Sequence, residues 1–221
     1  MKNVFFKPYV GKNYFEKGYL GKKLLILGES HYCSGIQDKD CQCGKEEKCL
    51  QLQECENFTN EVLNRFFDYK KGVGEVDTWM TTFTRFTNIF LGEQVSNEKL
   101  LEFWENVVFY NYVQKAIIGS RTSPDGQDFE DSEKAFFEIL EEYKPDLIIV
   151  WGARLEERLP QKNKTLSDFE IFNEGGHKFH YYEIAGKKIP AYAIYHPSHS
   201  RFSYDYHDFL KEALRLSGFD I

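Results

Sequence analysis

Apolar residues in this chain fall into short runs that stop abruptly, and the runs alternate with stretches of helical spacing. Residues 23–27, 107–113 and 146–151 have strand length and read as buried strands; the second contains Asn111. Residues 178–184 and 188–194 flank an Ala-Gly-Lys turn and read as a strand pair. Residues 57–70 carry Phe58, Val62 and Phe66 at a spacing of four, which predicts a helix. A second helix is expected over 97–106, capped by Ser96 or Asn97, and a third over 133–143, capped by Ser132 and ended by Pro145. A last helix is expected from about 205 to 216, and residues 71–92 give no clear pattern. Residues 119–131 read as a polar loop. Strands alternating with helices predict an α/β fold, a three-layer α/β/α sandwich with a mostly parallel central sheet.

Each of two apolar runs ends at a cluster of titratable side chains. After 24–27 come Gly28, Glu29, Ser30, His31 and Tyr32; after 193–194 come His196, Ser198, His199 and Arg201. In open α/β sheets ligands bind beyond the carboxyl ends of the strands, so the two clusters are expected to share one pocket.

Length changes this picture little, since 221 residues fit one domain, residues 1–221, with an insertion. The insertion spans about 33–55 and holds all five cysteines in the spacing C-x7-C-x-C-x5-C-x5-C. That spacing matches no standard zinc or ferredoxin pattern, yet four thiolates suffice for a metal. The reading stays open between a structural zinc or other metal on Cys33, Cys41, Cys43, Cys49 and Cys55 and a loop of reduced thiols.

A net charge of −7 argues against strong nonspecific attraction to phosphate backbones. Residues 1–25 nevertheless carry six lysines against the single acid Glu16, interleaved with Phe and Tyr, which leaves a local basic aromatic face in play. The start lacks the apolar core of a secretory signal and no run reaches transmembrane length, so a cytoplasmic protein without a membrane partner is expected.

Four matches in order carry a resemblance to the uracil-DNA glycosylase superfamily. Gly28-Glu29-Ser30-His31-Tyr32 resembles its first motif, the water-activating loop after the first strand. Asn111-Tyr112-Val113-Gln114 resembles the strand end that reads the base. Residues 145–152 fit a Pro-x-x-Ile-x-x-x-Gly strand, and His196-Pro197-Ser198 matches the third motif, which begins the loop entering the minor groove. The resemblance covers roughly residues 20–215. It implies a DNA-base glycosylase, acting as a monomer on DNA with a flipped base and needing no cofactor for the chemistry. Glu29 would polarise water and stabilise the sugar cation, and His196 would stabilise the leaving base. Gly28, Ser30, His31, Tyr32, Asn111, Ser198 and Arg201 would bind substrate.

Ser30 and His31 stand where the best-studied branch has Asp and Pro. Glu29 is closer to a thermophile-type branch with Gly-Glu-Ala-Pro-Gly, whose iron–sulfur cysteines are placed differently and are not carried over. The alternative is therefore a catalytically inactive module of the same resemblance that binds nucleic acid, a nucleotide or a partner protein. Residue by residue, other roles remain open. Glu29 could pair with Arg154, His31 could bond backbone, Asn111 could satisfy buried backbone, and Phe202 could be an apolar wedge or core. His177 and His180 fall on opposite faces of a strand, which favours hydrogen-bonded histidines over a metal pair.

Overall fold

The structure, a computed structural model, describes residues 1–33, 55–118, 122–171 and 177–221. In chain order its strands are β1 (Tyr9–Val10), β2 (Leu24–Gly28), β3 (Tyr32–Cys33), β4 (Val107–Asn111), β5 (Ile117–Ile118), β6 (Leu147–Trp151), β7 (Lys164–Ile171), β8 (His177–Ile184) and β9 (Lys187–Ile194). The helices are α1 (Phe58–Lys70), α2 (Met80–Leu91), α3 (Asn97–Trp104), α4 (Gly126–Tyr143), α5 (Ala153–Arg158) and α6 (Tyr206–Leu216). Among the described residues no helix is long and apolar enough to cross a membrane.

Seven strands form one sheet in the order β1-β4-β2-β6-β9-β8-β7. Its four central strands, β4, β2, β6 and β9, are mutually parallel and every residue of β2, β4 and β6 is buried. Continuous apolar strands of this kind belong in a parallel sheet covered on both faces. The edges are antiparallel: β1, β8 and β7 all pair in that sense, β8 and β9 being the strand pair expected around the Ala-Gly-Lys turn. Tight connection explains β8 and β9: only two residues, Ala185 and Gly186, separate them, and both have positive φ. A two-residue hairpin with left-handed central positions joins antiparallel strands.

Alternate side chains divide the sheet into two cores. Leu24, Ile26, Phe109, Ile149 and Trp151 face α1, α2, α3 and α6, while Leu25, Leu27, Tyr110, Ile148 and Val150 face α4 and α5. The expected three layers are therefore present.

The helices expected near 57–70, 97–106 and 205–216 form close to their predicted bounds, with Ser96 capping α3 through the Lys99 N–H. One segment without an expectation proves helical, and one expectation needs correction. Residues 80–91, which gave no clear pattern, are α2; its buried Met80, Phe83, Phe86, Thr87 and Phe90 line one face, and the buried Thr87 hydroxyl accepts from the Trp104 indole at 3.0 Å. The predicted loop and Ser132 cap also give way to a longer α4. Asp125 and Asp128 form a reciprocal capping box that starts the helix at Gly126. Ser132 is instead buried within it, donating to the Asp128 carbonyl and accepting from the Gln114 N–H. Cys41, Cys43 and Cys49 lie outside the described residues, so the cysteine cluster is not described beyond the backbone of Cys33 and the 3-10 turn that begins at Cys55.

Candidate functional site

The chain leaves β2 toward the face covered by α1, α2 and α3, but leaves its neighbours β4 and β6 toward the face covered by α4 and α5. Connections diverging from adjacent strands open a crevice at their carboxyl ends. Glu29 follows β2, Asn111 ends β4, Arg154 follows β6 and His196 follows β9. Four residues remote in sequence thus share one rim of the sheet.

Glu29 is held by a bidentate ion pair. The Arg154 Nε donates to its Oε2 at 2.7 Å and Nη2 donates to its Oε1, while Nη1 reaches the Ser123 hydroxyl. The Glu29 side chain keeps 11% of its surface exposed and Arg154 keeps 51%. The hydrogen bond to Glu29 is the main cause that raises the Arg154 pKa, with Tyr32 contributing through its hydroxyl. Gly152 makes this possible locally. Its φ of 108° lies in the left-handed region, and its N–H donates to the Ile194 carbonyl at 2.8 Å. The chain thereby turns sharply from β6 into α5 and swings Arg154 back over the strand ends.

His196 presents one defined edge. Its Nδ1 accepts from the Ser198 backbone N–H at 3.2 Å and lies 2.7 Å from the Ser198 hydroxyl. A backbone N–H can only donate, so Nδ1 carries the lone pair and Nε2 carries the proton. Packing, including the Trp151 ring with centroid at 6.1 Å, lowers its pKa although the residue keeps an edge open to solvent. Arg154 and His199 push in the same direction and Glu29 opposes them. The imidazole is therefore neutral at neutral pH, with Nε2–H as donor.

The neighbouring Asn111 and His31 form an internal network. His31 is 4% exposed, with Phe6 and Phe58 edge-on at centroid distances of 4.8 Å each. Asn111 Nδ2 donates to the Ser30 carbonyl at 3.3 Å and to His31 Nδ1 at 3.1 Å, leaving His31 Nε2–H for the Thr59 hydroxyl at 2.8 Å. Burial among aromatic rings lowers the His31 pKa to about 3. His31 is thus a neutral spacer behind the loop, bonded to side chains rather than to backbone. Asn111 uses its amide hydrogens to fix Ser30 and His31. Gly28 is what lets it approach: a Cβ there would stand 2.1 Å from Asn111 Oδ1.

Ser30 contributes a buried hydroxyl with no hydrogen-bond partner among the described residues, and Tyr32 is 39% exposed. Arg201 lies on the outer loop, donating to the Tyr195 hydroxyl at 3.1 Å, and His199 stacks on the same ring. Phe202 is wholly buried against Phe86 and Tyr206, so the wedge reading is replaced by a core residue. His180 bonds Glu156 at 2.6 Å, and the side chain of His177 lies outside the described residues. Among the described residues no group of three or more His, Cys, Asp or Glu is placed to hold a metal.

The sequence pointed to Arg154 only as a rival explanation for Glu29, and did not point to Ser123 or Thr59 at all. A glycine directly after a buried strand, followed within two residues by Arg154, was the available signal for the first. Searches against protein-family models and against curated proteins give no match to this sequence.

Proposed function

We propose that this chain is a uracil-DNA glycosylase-like protein that hydrolyses the bond between sugar and base at uracil or another damaged base in DNA. One observation supports the reading: Glu29 and His196, from strands separated by β6, stand at the same rim of the sheet, where Glu29 favours the charged form of His196 and Ser198 leaves its Nε2–H as the donor. Cleavage of an N-glycosidic bond builds positive charge on the sugar and sends the bond's electron pair to the departing base. The chemistry thus needs an anion on one side and a fixed donor on the other. Glu29 would face the sugar and take a proton from the attacking water, whose oxygen bonds to the sugar carbon as the carbon–nitrogen bond breaks. His196 would donate through Nε2–H to the leaving base. Tyr32 would line the base pocket, and Asn111 would hold the Ser30 carbonyl and the His31 ring in place for it. Hydrolysis by this route calls for water and no cofactor.

A second reading is favoured by the bidentate Arg154. A guanidinium that occupies both Glu29 oxygens cancels much of the negative charge the sugar would feel. A module that only binds a nucleotide or nucleic acid would tolerate that pairing without loss.

Base release from end-labelled oligonucleotides carrying uracil, hypoxanthine, xanthine or oxidised pyrimidines separates the two. The glycosylase reading expects release by the natural protein and loss of it in Glu29→Gln and His196→Ala. Silence across the panel with DNA still shifted in a gel would end that reading in favour of the binding module.

A further inference from the structure

A groove of about 560 Å³ lies away from Glu29, between the carboxyl end of α1, the outer side of α2 and the segment after the His-Pro-Ser loop. Its volume falls in the range of ordinary ligand sites, about 300–1,000 Å³. In a chain of net charge −7, its lining holds, among the described residues, two cations, Lys70 and Arg85, and no carboxylate.

Lys70 stands with its ammonium 5.7 Å from the Phe66 ring centroid and 5.3 Å from that of Tyr69. Among the described residues no carboxylate pairs with it. Partial burial lowers its pKa, which is the mark of a cation taken partly out of water without an anion in return. Tyr204, on the opposite wall, is 49% exposed. Arg85 fastens that wall, donating through Nη2 to the Ser200 and Phe202 carbonyls. The groove is therefore continuous with the loop that starts at His196.

Unpaired positive charge beside an exposed aromatic face is the chemistry of single-stranded nucleic acid binding: cations for the backbone, rings for the bases. We propose that this groove holds the single-stranded DNA flanking the nucleotide at the strand-end site, with Lys70 on a phosphate and Tyr204 stacked on a base. The inference rests on the glycosylase-like reading for its choice of DNA, and it adds a second contact site outside the crevice.

Fluorescence anisotropy tests it with a long dye-labelled single strand and a trinucleotide, on the natural protein and on Lys70→Gln and Tyr204→Ala. Lys99→Gln serves as a control cation elsewhere, and urea midpoints verify folding. Tyr204→Ala should weaken the long strand about tenfold, the loss of one stacked base. Lys70→Gln should reduce the slope of log affinity against log salt by about 0.7, one phosphate contact on a single strand. The trinucleotide should bind all the proteins alike. Wild-type affinity and slope in both variants would overturn the proposal, as would an equal loss for the trinucleotide or no single-strand binding by the natural protein. Base release measured on the same samples keeps the two readings apart. Absence of release with altered strand binding in the variants refutes the glycosylase and leaves the groove standing; release with unaltered binding does the reverse.

Discussion

Substituting Gly28 by Ala tests the central geometric claim, that Asn111 stands over the end of β2 and fixes the loop carrying Glu29. Gly28 and Asn111 are paired residues of β2 and β4. An added Cβ would lie 2.1 Å from Asn111 Oδ1, 3.3 Å from Asn111 Cγ and 3.1 Å from Phe109 Cζ. The first contact is impossible and the amide must leave. Overpacking of this kind costs about 1–3 kcal/mol. Displacing the amide also removes its hydrogen bonds to the Ser30 carbonyl and His31, for about 1 kcal/mol each. Gly28→Ala should therefore destabilise the protein by about 3–5 kcal/mol, which for a chain of this size lowers Tm by roughly 6–20 °C. In an Asn111→Ala background the amide is already gone and only the contact with Phe109 remains, so the same substitution should cost about 1 kcal/mol. Urea denaturation of the four proteins gives the coupling directly, expected at about 2–4 kcal/mol. Additivity to within about 0.5 kcal/mol would show that the two residues do not touch and would refute the arrangement.

His31 is held at a pKa of about 3 in the folded chain against an ordinary 6.5 in the unfolded one. The unfolded state then binds more protons below pH 6.5, so this contribution is complete above pH 6.5 and is lost on acidification, by about 2 kcal/mol at pH 5. Between pH 7.5 and 5, urea-derived stability should fall less in His31→Gln than in the natural protein by about that amount; equal pH profiles would exclude a buried neutral imidazole. For His196, long-range nitrogen-15 correlation spectra at neutral pH should report the Nε2–H tautomer and a titration midpoint below the ordinary histidine value, and an Nδ1–H tautomer would contradict the Ser198 contact. Phe202→Ala should cost about 3–5 kcal/mol in urea denaturation, since the side chain is fully buried, whereas a loss under about 1 kcal/mol would return Phe202 to the surface.

What was legible in the chain follows from what kind of signal each element emits. β2 and β6 were plain because a strand buried on both faces must be apolar throughout, and both runs end at a glycine. α2 was illegible for the opposite reason. Its interior face includes Thr87, a residue that scores as polar and disfavours helix, yet whose hydroxyl is needed inside to accept the Trp104 N–H. No local pattern can announce a polar residue whose partner lies seventeen positions away. The start of α4 was misplaced because Ser132 and Asp125 are both good caps in isolation. The choice was made by Asp128, whose carboxylate completes the box with Asp125, and by Gln114, whose N–H claims the Ser132 hydroxyl from another strand end.

The site divides along the same line. Strand ends were readable, and with them the grouping of Glu29, Asn111 and His196 at one rim; which atoms remain available to a ligand was not. Asn111 looked like a reader of bases because an amide offers a donor beside an acceptor, but its donors are committed to Ser30 and His31. For Glu29 the sequence left a catalytic carboxylate and a partner of Arg154 both open, and the structure shows the pairing, with Arg154 on both oxygens. His196 gains in definition instead, because Ser198 takes one ring nitrogen and leaves the other as the donor the chemistry needs. The ion pair is thus the decisive feature of the crevice. A glycosylase must let substrate draw the half-exposed guanidinium away from the more buried carboxylate, whereas a binding module has no need to. Base release by the natural protein and by Arg154→Gln resolves which holds: faster release at saturating substrate in the variant follows for a glycosylase whose Glu29 the pair restrains, whereas no release by either protein, with DNA still bound, leaves the binding module.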